Sequence, residues 1–375
     1  MRVQPFNDPL PHQRRKRFFA WQVEITTRCP LSCRMCIRQG LPGWIEADMS
    51  LADFRRLVPY FDDVGTIILQ GWGEPLLNND LVPIIRAAKQ GTGDSAGYRP
   101  PDVGFVTSGK GLDAHTSAAL IDAGLDFIGF SLAGSSAAVH ETIRMKSDFS
   151  ALVNAIHTFS ELQANKGATQ PRSHIVYLML RDNMRDLPLL PRLARDVGVR
   201  SIVLTNLIHV ATGWQDAQRV YSCGGHNEYE EVLKETAIRA RELGVHLRYP
   251  GLIARERPVC EEDPLRNLYI SVSGEISPCV YLNPPASSPF KRIFCGRESA
   301  IEKVTFGNVL QESFGRVWEV DAYENFRERM RRRDTRSGTI SSFLFAISGV
   351  RRKPDTRSLP DPPAPCRTCH KMLGV

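Results

Sequence analysis

The feature that most constrains this chain's fold is a steady alternation of short β-rich runs with amphipathic helical stretches, sustained to about residue 210. The strand candidates are WQVEIT (Trp21–Thr26), GTIILQ (Gly65–Gln70), DVGFVT (Asp102–Thr107), DFIGFS (Asp126–Ser131), HIVYLML (His174–Leu180) and RSIVLTN (Arg200–Asn206). Between them, segments such as SLADFRRLVPYF (Ser50–Phe61) and DLPLLPRLARDVG (Asp186–Gly198) repeat apolar residues at three- and four-residue spacing. Ser50 with Asp53 marks one helix start. Strands alternating with helices predict an α/β parallel sheet with right-handed crossovers. Six such units fit a partial, TIM-like (β/α)6 barrel better than a closed eight-fold one, which takes about 250 residues.

The pattern breaks near residue 245. After the helical NEYEEVLKETAIRARELG (Asn227–Gly244), the run NLYISVSGEISPCVYL (Asn267–Leu282) predicts a hairpin over a Ser-Gly turn. A charged helix is expected near Trp318–Arg332. The expected layout is a basic extension over 1–20, a barrel over 21–245 and a small α+β domain over 246–375. Residues 334–365, rich in Arg, Ser and Pro, read as a loop or linker.

Composition removes several classes. A 42% hydrophobic content excludes global disorder. The longest uncharged apolar stretch, Thr339–Val350, is too short to span a bilayer. Only Phe18 to Val23 separate RRKR (Arg14–Arg17) from Glu24, which is no signal-peptide core, so a cytoplasmic protein is expected. The formal charge of +7 gathers at the two ends, in His12–Arg17 and Arg327–Arg336. Both runs read as solvated tails, with no aromatic-rich nucleic-acid motif beside them and no firm evidence for a nucleic-acid or membrane partner. Phe343–Lys353, apolar then basic, reads as an ordinary loop with one packed helical turn, the alternative being a segment that covers the active site or touches a membrane.

Three of the nine cysteines fall within eight residues, CPLSCRMC (Cys29–Cys36), directly after the first predicted strand. In a reducing compartment such clusters hold metal or do chemistry more often than they form disulfides. The C-terminal ends of barrel strands are where chemistry gathers. A structural zinc takes four protein ligands, so three thiols leave one position open. In a four-iron cluster the same count leaves one iron free for a small molecule. A zinc knuckle borrowing a distant fourth ligand is the alternative. After the second strand, QGWGEPLL (Gln70–Leu77) offers glycines that let backbone approach a ligand, and Glu74 to accept from an ammonium.

The C-x3-C-x2-C spacing after the first strand of a βα repeat resembles the signature of the radical S-adenosylmethionine (SAM) superfamily. The resemblance implies that Cys29, Cys33 and Cys36 hold a [4Fe-4S] cluster whose fourth iron is chelated by SAM. Gly71, Gly73, Glu74 and Pro75 are similar to the family's G-G-E-P element, which holds the SAM amino group; Trp72 stands where a glycine is frequent. TSG (Thr107–Gly109) occupies the place of a common T-N-G. SLAG (Ser131–Gly134) and HETIR (His140–Arg144) resemble elements that imply contacts of Ser131 and Arg144 with the SAM ribose or carboxylate. Ala133 replaces a frequent Asp there. Thr205 and Asn206 either line the adenosine or simply cap a strand.

The later cysteines resemble the SPASM/twitch extension of the same superfamily. That implies one auxiliary [4Fe-4S] cluster held by Cys260, Cys279, Cys366 and Cys369, with zinc bound by the same four thiols still open. Cys223 and Cys295 are then inert thiols and His370 a bystander. The implied protein is a radical SAM enzyme that cleaves SAM to a 5′-deoxyadenosyl radical and abstracts hydrogen from a substrate. A flavodoxin- or ferredoxin-type donor would supply the electron. The expected substrate is a peptide or protein; oxidation or rearrangement of a small metabolite such as a sugar alcohol is the alternative. A non-catalytic iron–sulfur carrier or zinc-stabilised binding protein is the rival from another class, and an intact Gly73-Glu74-Pro75 loop argues against it.

Overall fold

The computed structural model describes residues 16–92, 98–338 and 359–375. The Thr339–Val350 and Phe343–Lys353 stretches and most of the basic extension lie outside the described residues. Strands and helices alternate in the order β1 (Phe18–Val23), α1 (Leu51–Arg55), β2 (Val64–Ile68), α2 (Leu81–Gln90), β3 (Asp102–Thr107), α3 (Ala114–Asp122), β4 (Phe127–Leu132), α4 (Ala137–Ile143) and α5 (Phe149–Asn165). There follow β5 (Arg172–Leu178), α6 (Leu190–Asp196), β6 (Ser201–Thr205), α7 (Gly213–Ala217), α8 (Glu230–Glu242) and β7 (His246–Arg248). The C-terminal part holds β8 (Asn267–Ile270), β9 (Ile276–Ser277), β10 (Phe290–Phe294), β11 (Arg297–Ile301), α9 (Phe314–Glu319) and α10 (Asp321–Gly338).

Nine strands form one sheet in the order β7-β6-β5-β4-β3-β2-β1-β8-β9, parallel from β7 through β8. The six expected units make the partial barrel, and its core is buried Val103, Phe105, Ile128, Phe130, Ile175, Tyr177, Ile202 and Leu204. β10 and β11 form a separate antiparallel pair. β8 adds alongside β1, pairing Ala20 with Asn267 and Val23 with Ile270, and so lays the C-terminal part against the barrel's first strand.

Local chemistry explains where boundaries shift. Pro59 ends the helix expected over Ser50–Phe61, leaving α1 and a 3-10 turn at Val58–Asp63. Ser50 does cap α1, accepting from the Asp53 N–H at 3.1 Å. β1 starts at Phe18 because that ring packs edge-on against Phe314 and Trp318.

Three expectations are corrected. The charged helix reaches Gly338, so residues 334–338 are helical and not linker. Arg327–Arg336 is not a solvated tail: Arg327 and Arg333 are buried, and Arg331 and Arg332 pair with Glu324 and Glu328 on the exposed face. Cys223 and Cys295 are not separate thiols but a disulfide, because the Ile293 N–H bonds the Val210 carbonyl at 2.8 Å and brings the β10–β11 turn over the loop after α7.

Candidate functional site

The cysteine loop leaves β1 and lies across the C-terminal ends of the barrel strands. Leu31, Cys33 and Met35 face inward and pack with Ala133, Ile143, Leu180, Leu207, Val210 and Ile293 in a small apolar cluster of their own. Backbone bonds fix the loop's course. The Ser32 and Arg34 N–H groups donate to the carbonyls of Met145 and Ile143 at 3.1 and 3.0 Å. Arg38 Nη1 donates to the Cys29 carbonyl at 3.0 Å, and fully buried Gln215 donates to that of Cys36 at 3.3 Å. Gln215 is itself held by the Thr212–Gln215 capping box at the start of α7.

The GWGEP loop is locked against the cysteine loop. The Glu74 N–H donates to the Arg28 carbonyl at 2.8 Å. A Cβ on Gly73 would overlap the Thr26 and Arg28 carbonyls, so only glycine permits this approach. The Glu74 carboxylate is buried beside Thr107 and Ser108. Oε1 accepts from the Thr107 hydroxyl at 2.6 Å and the Leu76 N–H at 3.3 Å. Oε2 accepts from the Ser108 N–H and hydroxyl, both at 2.7 Å. TSG therefore orients Glu74. Glu24, at the exit of β1, is also fully buried; the Trp72 N–H donates to its Oε1 at 2.8 Å and the Tyr269 hydroxyl to its Oε2 at 2.7 Å. Burial raises its carboxyl to about 7 against the pull of those donors.

Around this floor lie buried polar atoms with no protein partner among the described residues. Arg144, which caps α4, leaves its Nε unpartnered, as do Asn206 Oδ1 and His140 Nε2. Ser131 is half-buried on β4 and Thr205 ends β6. A second group lies in the seam between barrel and C-terminal part. His209, beyond β6, has both ring nitrogens unpartnered, and so is Trp72 Nε1. Their rings meet edge-on at 5.6 Å, with Tyr281 6.0 Å from Trp72 and Phe290 5.4 Å from His209. Burial first, then Arg292 and His370, hold the His209 imidazole well below its ordinary pKa, so it is neutral. A cavity of ≈ 340 Å³ opens beside Cys29, lined also by Arg38, Trp44, Glu46 and Lys146.

Cys260, Cys279, Cys366 and Cys369 converge from three separate segments. Two buried arginines build this nest. Arg292 Nη1 donates to the Pro365 carbonyl at 2.7 Å and its Nη2 to that of Tyr281 at 3.3 Å, joining the segments of Cys366 and Cys279. Arg333 donates to the Pro258, Arg257 and Pro360 carbonyls and to Glu256 Oε1, joining the segments of Cys260 and Cys366.

The donor sets suit iron–sulfur clusters. Burial, then Glu74 and Cys33, raise the Cys29 thiol, and burial pushes Cys36 up to about 12. Burial and then the neighbouring thiols raise Cys260 and Cys279 well above the ordinary range. Both sets consist of cysteine sulfur, the donor that iron–sulfur clusters take. Among the described residues no group of three or more His, Cys, Asp or Glu is arranged to hold a single metal ion, and no helix is long and apolar enough to cross a membrane. The sequence carried no signal for Glu24, Arg292 or Arg333; for Gln215 the Thr-x-x-Gln capping pattern was the available one.

The radical SAM superfamily model matches residues 23–194, and the SPASM iron-sulfur cluster-binding domain model matches 260–338. The chain is 24% identical over 309 residues to the tungsten-containing aldehyde ferredoxin oxidoreductase cofactor-modifying protein of Pyrococcus furiosus, covering 81% of this chain and 82% of that one. It is 24% identical over 308 residues to the PqqA peptide cyclase of Gluconobacter oxydans, covering 81% and 77%. Among solved structures, Streptococcus suis SuiB bound to S-adenosylmethionine matches with TM-score 0.60 at 13% identity, over 82% of this chain and 67% of SuiB, a likeness of fold. SAM, a [4Fe-4S] cluster and an auxiliary iron–sulfur cluster are the cofactors of this architecture. The chain is an enzyme of the radical SAM type, with a radical SAM superfamily domain over residues 23–194 and a SPASM iron–sulfur cluster-binding domain over 260–338.

Proposed function

We propose that this enzyme modifies a peptide or protein, and that Cys29, Cys33 and Cys36 hold the SAM-binding cluster while Cys260, Cys279, Cys366 and Cys369 hold the auxiliary one. When bound, the cluster and SAM would supply hydrogen-abstracting radical chemistry, with the electron provided by a flavodoxin- or ferredoxin-type donor. Glu74 would receive the SAM amino group, and Arg144 and Ser131 would contact its carboxylate or ribose. Gln215 and Arg38 keep the cysteine loop in register. Trp72, Tyr281 and Phe290 wall the seam around His209.

The observation that carries the peptide reading is the seam itself. Its unpartnered Trp72 indole Nε1–H donates, while the neutral His209 ring both donates and accepts. An amide group, with one acceptor and one donor, complements that set between aromatic walls. By name, one relative is a peptide cyclase and one structural neighbour is SuiB with its precursor peptide SuiA, which supports the same reading. The test is to divide an extract of the parent organism by size at about 1 kDa and add each fraction to reconstituted enzyme with SAM and reductant. Stimulated 5′-deoxyadenosine formation by the protease-sensitive large fraction supports peptide modification; stimulation by the small fraction alone assigns a small metabolite instead.

A further inference from the structure

Glu24 takes part in none of the contacts just proposed, yet its carboxylate touches both halves of the molecule. Its Oε1 accepts from the backbone N–H of Trp72, inside the GWGEP loop. Its Oε2 accepts from the hydroxyl of Tyr269 on β8, the strand that lays the C-terminal part on β1. Gly71 presses onto the same carboxylate, where any Cβ would overlap it. Without an acceptor here, the Trp72 N–H would be buried and unpaired and the loop would lose its footing.

We propose that Glu24 is a positioning residue: it sets the GWGEP loop for SAM and makes that setting depend on the C-terminal part through Tyr269. The inference rests on the SAM site proposed above. Glu24 acts through the Trp72 backbone and touches no reacting atom. What the loop requires is an acceptor of the right reach. The amide of Glu24→Gln keeps one, its oxygen taking the Trp72 N–H while its NH2 donates to the Tyr269 oxygen. Glu24→Leu fills similar space and offers none.

The test measures SAM affinity by equilibrium dialysis of anaerobically reconstituted protein, beside iron content and the SAM-induced change in the electron paramagnetic resonance of the reduced clusters. Glu24→Leu is expected to weaken SAM about tenfold at unchanged iron, with the SAM-induced spectral change lost at concentrations that saturate wild type. Glu24→Gln should stay within about threefold and Tyr269→Phe should lose about two- to fivefold. The Glu24→Leu, Tyr269→Phe double variant should bind no more weakly than Glu24→Leu alone, because the hydroxyl acts through the carboxylate. Wild-type-like affinity in Glu24→Leu, or additive losses in the double variant, would overturn the proposal. If Glu24→Leu loses iron, Tyr269→Phe decides, with unchanged affinity overturning it. Absence of SAM binding by wild type would instead bring down the site reading on which this rests.

Discussion

The two sets of thiols are built in opposite ways. Cys29, Cys33 and Cys36 lie within eight residues of one loop, and the groups that pin it contact its own backbone. Cys260, Cys279, Cys366 and Cys369 come from segments far apart in the chain, and buried Arg292 and Arg333 hold those segments together. The first is a local device, specified by spacing. The second is a product of tertiary structure. Both are pinned from a distance, the loop by Gln215 and the Ile143 and Met145 carbonyls, but only the distant nest needs tertiary contacts to bring its thiols together.

The largest effect should come from breaking the second arrangement. Arg333→Met strands the Pro258, Arg257 and Pro360 carbonyls and Glu256, at a cost of about 3–5 kcal/mol. Differential scanning calorimetry should show that loss, and iron analysis a fall from about eight to about four per chain, with SAM cleavage retained. Loss of both iron sets would erase the contrast between local and distributed.

Next is the pH dependence of Glu24. Its carboxyl sits at about 7 in the folded protein against an ordinary 4.5. Between those values the folded state keeps a proton that the unfolded chain has released, so wild-type stability falls as pH rises. Glu24→Gln lacks that slope, and its stability relative to wild type should shift upward by up to roughly 3 kcal/mol from about pH 4.5 to above pH 7. Parallel urea-melt profiles for the two proteins across this range would show that burial does not tax the charge.

A smaller loss is expected from Glu74→Gln, where an NH2 group replaces an oxygen that accepts from Ser108 or Thr107. SAM affinity should drop by about 1–2 kcal/mol with iron unchanged; equal affinity would reduce the loop to a turn. Smallest of all, Cys223→Ser should leave iron and sulfide unaltered, because that disulfide lies outside both nests.

What was legible in the sequence follows the same division. Period-two and helical spacings carried the six barrel units, and the eight-residue cysteine loop with Gly73-Glu74-Pro75 carried the superfamily, since each is a short-range pattern. The pairing of β8 with β1, and so the meeting of Glu24 with Tyr269, joins positions 245 residues apart and leaves no local trace. Arg333 looked like one more cation in a charged run, because its spacing does not show which turn of α10 faces the Cys260 segment. Cys223 and Cys295 looked inert because only the β10–β11 hairpin, unread in the sequence, brings them together.

On this reading Cys29, Cys33 and Cys36 are required for SAM cleavage, while the distant nest binds iron without them. The direct test replaces all three thiols with alanine, reconstitutes the protein anaerobically, and measures iron, sulfide and dithionite-driven 5′-deoxyadenosine. The account predicts about four irons and four sulfides per chain, against about eight of each in wild type, and no 5′-deoxyadenosine. Undiminished 5′-deoxyadenosine from that variant, or complete loss of iron with the fold intact, would contradict it.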